Sequence, residues 1–301
     1  MPATIRIGVR GNRLGISVGK QALEELRPYL AGVMTEIVPI ADPGRLGASP
    51  WPGGALERAL AKGEVQMVIQ NAKDASPSGS GITLAAVTAR FTPFDVLIAT
   101  DGLILDELPD GAGLSAHTAL RRAQLLFYRS DFRIVDFTGS LEERIQTLER
   151  GEVDGLIVSA SAVEHLGLQD QVTEIFTTAV LIPAVGQGSA VVQVRSTEKD
   201  LIKAARHIND VDARAEFDAE RAFLKALGAD SRAAVGALAQ SDGSSLRLEG
   251  VVAERDGRRV FRDVETGEYP EAAAIGERLA KRLLAEGGRH ALAGAETESE
   301  Q

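Results

Sequence analysis

Pro183-Ala184-Val185-Gly186-Gln187-Gly188-Ser189-Ala190-Val191-Val192-Gln193-Val194 is the stretch on which the fold of this chain turns. A proline and two spaced glycines mark a turn, and the apolar run at residues 190–194 reads as a buried strand. Two similar α/β units precede it. The strand is read as returning to the first of them, so the chain crosses between the units and leaves a cleft suited to a small ligand.

Outward from that stretch, short apolar runs alternate with amphipathic helical stretches. The first unit opens with a strand at 5–9 and a helix at 17–30, which carries Ala22, Leu23, Leu26 and Leu30 on one face. A strand at 36–40, a Pro/Gly-rich connection and a helix at 55–61 follow. The strand at 66–69 runs directly into Asn71-Ala72-Lys73-Asp74. Strands at 82–87 and 96–100 come next, the second able to cross between units. From Gly113 a second unit repeats the pattern, with helices at 119–128 and 141–150 and strands at 133–137 and 155–158. Ser140 with Glu143 three residues on is a capping box for the later helix. After residue 210 come a long helix at 211–227, strands at 246–253 and 259–264 and a helix at 271–284. The expected architecture is α/β: two lobes of the periplasmic-binding-protein type around a cleft, plus a small α+β C-terminal domain. Lobe 1 is assigned 1–98 with 187–209, lobe 2 is 99–186 and the third domain is 210–294. The acidic stretch at 295–301 is expected to be a disordered tail.

With 301 residues and 44% hydrophobic content the chain can bury substantial cores, and at 4% aromatics it must fill them with aliphatic side chains. A formal charge of −10 argues against nucleic acid or an anionic membrane as partner. Any anion site must come from a local cluster of basic residues. No apolar run approaches the ~20 residues of a membrane span, and the N-terminus does not read as a secretory signal. A cytoplasmic monomer is expected. The chain contains no cysteine, which excludes disulfides and thiolate metal sites. Its histidines, His117, His165, His207 and His290, lack metal-ligand spacing, so no metal is expected.

Lys73-Asp74 ends a strand, where α/β folds place ligand-facing groups. A carboxylate there can stabilise a cationic intermediate or exchange a proton with a ring nitrogen; the bland alternative is an exposed turn with an ion pair. Thr118 is a plausible N-cap for the helix that carries Arg121 and Arg122. Two arginines in a first turn oppose the helix dipole, and a ligand carboxylate would relieve that conflict; solvated surface arginines are the alternative. Arg10 follows the first strand in a glycine-flanked loop. Arg144 lies on the helix after Ser140. Gln187 sits in the Gly186–Gly188 turn, which reads first as a flexible turn and second as a ligand loop.

Ile5-Arg6-Ile7-Gly8-Val9-Arg10, Lys73-Asp74, Leu120-Arg121-Arg122-Ala123-Gln124-Leu125, Pro183-Ala184-Val185-Gly186-Gln187-Gly188 and Ala219-Glu220-Arg221-Ala222-Phe223-Leu224 occur here in an order and spacing that resemble the porphobilinogen deaminase (hydroxymethylbilane synthase) family over nearly the whole chain. The resemblance implies a transferase of tetrapyrrole, porphyrin and heme biosynthesis, joining four porphobilinogen units head to tail with release of ammonia. It assigns the catalytic carboxylate to Asp74. The substrate and cofactor carboxylates fall to Arg10, Lys73, Arg121, Arg122 and Arg144, with Thr118 and Gln187 beside them. It also implies a dipyrromethane cofactor carried on a third-domain cysteine.

That cysteine is missing. The position reads Ser231, within Asp230-Ser231-Arg232. A hydroxyl without an activating base is a weak nucleophile where a thiolate is a strong one, so the family's thioether attachment is impossible here. Other departures are Asn12, Gln70-Asn71, Ala119 and Thr138. Three readings stay open: an ether through Ser231, assembly of an untethered chain, and a non-catalytic or regulatory homologue that binds a pyrrole or other small polycarboxylate.

Overall fold

The computed structural model describes residues 4–30, 32–41, 54–75, 81–137, 139–230 and 232–292. The expected tail at 295–301 lies outside them, as do Ser231 and Thr138. Lobe 1 begins with β1 (Thr4–Arg10), α1 (Arg13–Leu26), β2 (Met34–Ile40), α2 (Ala55–Ala61), β3 (Met67–Asn71) and β4 (Ile82–Val87). Lobe 2 contains β5 (Asp95–Ala99), β6 (Gly113–Ser115), α3 (Ala119–Tyr128), β7 (Arg133–Val135), α4 (Leu141–Glu149), β8 (Gly155–Ser159), α5 (Ala160–Leu166) and β9 (Glu174–Ile175). The chain then re-enters lobe 1 with β10 (Ala190–Arg195) and α6 (Lys199–Ala205). It ends in a third domain of α7 (Val211–Ala226), β11 (Val235–Ser241), β12 (Ser245–Ala253), β13 (Val260–Glu268) and α8 (Ala272–Leu283).

The first sheet has the order β2-β1-β3-β10-β4, the second β7-β6-β8-β5-β9 and the third β11-β12-β13. β10 lies antiparallel between β3 and β4, so the stretch at 183–194 does return to the first lobe. The expected boundary at 98/99 falls inside β5, which pairs wholly in the second sheet with β8 and β9. The outward crossing is therefore the extended segment 88–94.

Each lobe buries helices against its sheet. Ile5, Ile7 and Val9 of β1 point at Val18, Ala22, Leu23 and Leu26 of α1, and full burial of each such aliphatic side chain contributes ~1.5–3 kcal/mol. α1 starts four residues before the expected point because Asn12 caps it, accepting a 2.7 Å hydrogen bond from Gly15 N–H. On the other face of that sheet Leu56, Ala59 and Leu60 of α2 cover Val65 and Val68. The third domain closes its three-stranded sheet with α7 and α8 around Phe223, Leu248 and Leu279.

Candidate active site

Three strand ends and one helix N-terminus converge between the lobes. β1 stops at Arg10, where Gly11 N–H donates to Ile40 O at 2.9 Å. β3 stops at Asn71 and passes into a 3₁₀ turn, Ala72–Asp74, tied to the returning chain by Ala72 N–H donating to Ser189 O at 2.8 Å. β6 leads to Thr118, whose hydroxyl caps α3 by accepting from Arg121 N–H at 3.2 Å. The cleft enclosed here has a volume of about 450 Å³, within the range of small-ligand sites. Six basic and four acidic side chains line it among the described residues, a local positive balance in a chain of charge −10.

Most of those charges are already paired. Asp74 Oδ2 accepts from Arg10 Nη1 at 3.4 Å. Arg121 grips Asp95 with both arms, Nε to Oδ2 at 3.1 Å and Nη2 to Oδ1 at 2.7 Å, and its Nη1 donates to Ile157 O at 3.2 Å. Gln187 Nε2 donates to the same Asp95 Oδ1 at 2.8 Å and to Pro93 O at 2.8 Å. Asp230 accepts from the Nε and backbone N–H of Arg232, each at 2.8 Å.

Two enclosed cations differ. Among the described residues Arg144 donates only to neutral oxygens: Nε to Ser115 Oγ at 3.3 Å, and Nη2 to Ser115 O at 2.9 Å and Ile157 O at 3.1 Å. Burial, helped by the nearby Arg121 charge, lowers its pKa to about 9. Lys73 Nζ reaches across the cleft to Ser159 Oγ at 3.4 Å. Burial lowers its pKa more than Asp74 restores it. An enclosed cation that no described carboxylate hydrogen-bonds is costly unless an anion arrives, so this pair points to an anionic ligand.

His117 completes the floor. Its Nδ1 is buried without a hydrogen bond partner. Burial and the charges of Arg121, Arg144 and Lys73 push its pKa down to about 2, so the ring is neutral. Arg221 enters from α7 of the third domain, donating to Ala72 O at 3.1 Å and to Ala75 O, and stacks on Phe217 at 5.0 Å. Burial lowers its pKa to about 10.

The structure thus brings Arg10, Lys73, Asp74, Thr118, Arg121, Arg144 and Gln187 to one cleft. Arg122 does not line it: successive helical residues point ~100° apart, and Arg121 takes the inward direction. The carboxylate that relieves Arg121 is the protein's own Asp95. Ser231 lies outside the described residues, but its neighbours Asp230 and Ala233 line the cleft. Asp95, His117, Ser159 and Arg221 escaped the sequence reading. Only the Ala219–Leu224 match signalled any of them. No group of three or more His, Cys, Asp or Glu side chains among the described residues could hold a metal, and no described helix is long and apolar enough to cross a membrane.

Residues 48–203 match the family model described as porphobilinogen deaminase, dipyromethane cofactor binding domain, and residues 215–285 match porphobilinogen deaminase, C-terminal domain. The chain is 34% identical over 294 residues to the porphobilinogen deaminase of Pelotomaculum thermopropionicum, covering 94% of each chain. It is 33% identical over 304 residues to that of a Roseiflexus species, covering 98% of this chain and 100% of the relative. Among solved structures a putative methionine-binding lipoprotein from Bacillus subtilis is similar at 15% identity and a TM-score of 0.41, over 67% of this chain and 90% of that one. Family models over both halves and relatives aligned almost end to end place this chain in the porphobilinogen deaminase family.

Proposed function

We propose that the cleft removes ammonia from porphobilinogen and joins the resulting rings head to tail, as a step of tetrapyrrole biosynthesis. Loss of ammonia from an aminomethylpyrrole leaves a cation spread onto the ring nitrogen. A carboxylate fixed beside that nitrogen stabilises the charge as it develops, and in an enclosed site this is a large effect. Asp74 supplies that group, held by Arg10 at 3.4 Å. Arg144 and Lys73 attract the acetate and propionate groups of the rings through charge-assisted hydrogen bonds. Arg121, with its fork on Asp95, and Gln187 position the floor of the site rather than the substrate.

The observation that carries this reading is an acid set among cations at the point where the lobes meet. A site built only to bind carboxylates would be weakened by Asp74. The dipyrromethane of the family fits in part: its carboxylates suit these cations, but a chain without cysteine offers no thiol to bond it.

Asp74→Asn tests the reading. Ammonia release from porphobilinogen is expected to fall by about 10²–10³-fold, the scale for removing one preorganised electrostatic stabiliser, while KM moves only a few-fold. Turnover at the wild-type rate would overturn the role of Asp74, and no turnover by the wild-type protein would leave it a ligand-binding relative.

A further inference from the structure

Resting on that reading, we propose that this protein holds its growing oligopyrrole by charge and enclosure alone, with no covalent bond to it, and that contacts fastening the two lobes across the cleft retain the unfinished chain. Three observations meet here.

The first concerns the thiol and hydroxyl nucleophiles. The chain has no thiol. The described hydroxyls lining the cleft are Thr118, Ser140 and Ser159. Each accepts a hydrogen bond, from Arg121 N–H, Glu143 N–H and Lys73 Nζ respectively. No carboxylate or imidazole among the described residues accepts a hydrogen bond from any of the three, so no such base is set to activate them for attack.

The second is the pair of enclosed cations, Arg144 and Lys73, which among the described residues hydrogen-bond only neutral oxygens. Each ring of the substrate brings one acetate and one propionate. Every ring added gives the chain further carboxylates, so its hold strengthens with length by multivalency, while single rings exchange.

The third is the way the lobes are fastened. Arg13, at the start of α1 in lobe 1, donates from Nη1 to Glu142 Oε1 in the first turn of α4 in lobe 2 at 3.2 Å. Both line the cleft. Ser17 Oγ donates to His165 O at 2.9 Å, again from lobe 1 to lobe 2. Arg13 is 65% exposed. An ion pair so open to water is weak, and suits a latch that must open for each incoming ring and for the finished chain.

The chemistry balances without a tether. The aminomethyl carbon of an incoming porphobilinogen loses its amine and bonds to the free α-carbon of the last ring. That ring gives up its α-proton, and ammonium is the net product. One C–N bond breaks, one C–C bond forms, and nothing is oxidised or reduced. With no thiol to displace the first amine, the starting ring keeps its aminomethyl group.

The experiment incubates the full chain with porphobilinogen, follows ammonia, and divides the sample for intact mass under denaturing and non-denaturing conditions. Released pyrroles are sized by mass for the wild type, Glu142→Gln and Arg13→Gln at low and high salt. The expected result is ring-mass increments on the native protein that vanish on denaturation, and released chains that retain an aminomethyl end. The variants, and the wild type in high salt, should release several-fold more short chains. Increments that survive denaturation would overturn the untethered hold and leave the proposed reaction intact, with peptide mapping to locate the bond. Unchanged chain lengths in both variants would overturn the latch. Absence of both ammonia and bound rings would instead defeat the functional reading itself.

Discussion

Arg144 and His117 show how single residues of this cleft are tuned by what surrounds them. Arg144 is a buried cation that no carboxylate among the described residues hydrogen-bonds. Arg144→Gln should weaken porphobilinogen binding by ~1.5–3 kcal/mol, the range for a hydrogen bond to a charged group, as measured by calorimetry; unchanged affinity would show that the ligand never meets it. His117 is held neutral, with its pKa moved from 6.5 to about 2. Below pH 6.5 the unfolded chain takes up a proton that the folded cleft refuses, so the folded state loses stability as pH falls. The loss approaches at most ~1.4 kcal/mol per pH unit. His117→Gln should remove that component. Urea unfolding at about pH 7.5 and about pH 5 is then expected to differ less for the variant than for the wild type, and equal differences would place His117 in contact with water. Neither property was legible in the chain: a histidine beside a threonine carries no mark of the three cations that fold around it.

At the scale of elements, the cleft depends on turns that hold strand ends together. Gly186 has φ +77°, a left-handed conformation that other residues adopt at a cost. A Cβ there would lie 3.0 Å from Ala72 C and Lys73 N, so the returning segment packs directly on the turn that presents Lys73 and Asp74. Gly186→Ala should cost about 1–2 kcal/mol from backbone strain alone and reduce ammonia release by displacing that turn. Full activity with normal stability would show that the turn yields freely. The sequence announced this element as a turn and its following strand as a return. It also gave α3 to the residue and the capping box of α4, because periodicity and caps are local signals. It missed α5, α6 and β11, which are short or lack a two-faced pattern, and it started α1 late because Asn12 is a cap only when the chain behind it is extended.

Across the whole molecule the third domain is bolted to both crossings. Glu220 of α7 is fully buried. Its Oε1 accepts from Arg90 Nη1 at 2.9 Å and Ala239 N–H at 2.8 Å, and its Oε2 accepts from Gly186 N–H at 2.6 Å. Arg90, on the outward crossing, also donates to Glu216 at 3.1 Å and to Gln187 O at 2.9 Å. Burial would strip its charge, yet the two glutamates raise its pKa above the ordinary arginine value. On the lobe 2 side, Arg262 of β13 donates to Thr178 O, Ala179 O and Gln124 Oε1. Glu220→Gln replaces an acceptor of three donors by an amide that is itself half donor. The expected cost is about 3–5 kcal/mol, the scale for breaking a buried charge pair, seen as a lower denaturation midpoint with the third domain separating first. A wild-type midpoint would show that this network does not hold the domains.

Local patterning was enough to determine the layers, the two-lobed α/β plan and the family. Strands, amphipathic faces and caps are written in neighbouring residues, and the motifs occur in their order. Composition alone determined that the chain offers no thiol to bond a cofactor, since it contains no cysteine. Pairing was left to the tertiary structure. Asp95 and Arg121 are 26 positions apart, Arg10 and Asp74 are 64, and Arg13 and Glu142 are 129. Which of two adjacent arginines faces the cleft, which acid neutralises it and which cations stay open to a ligand depend on how strand ends from different lobes meet. Electrostatic balance at that distance in sequence exists only after folding, when burial removes the water that would otherwise screen every charge alike.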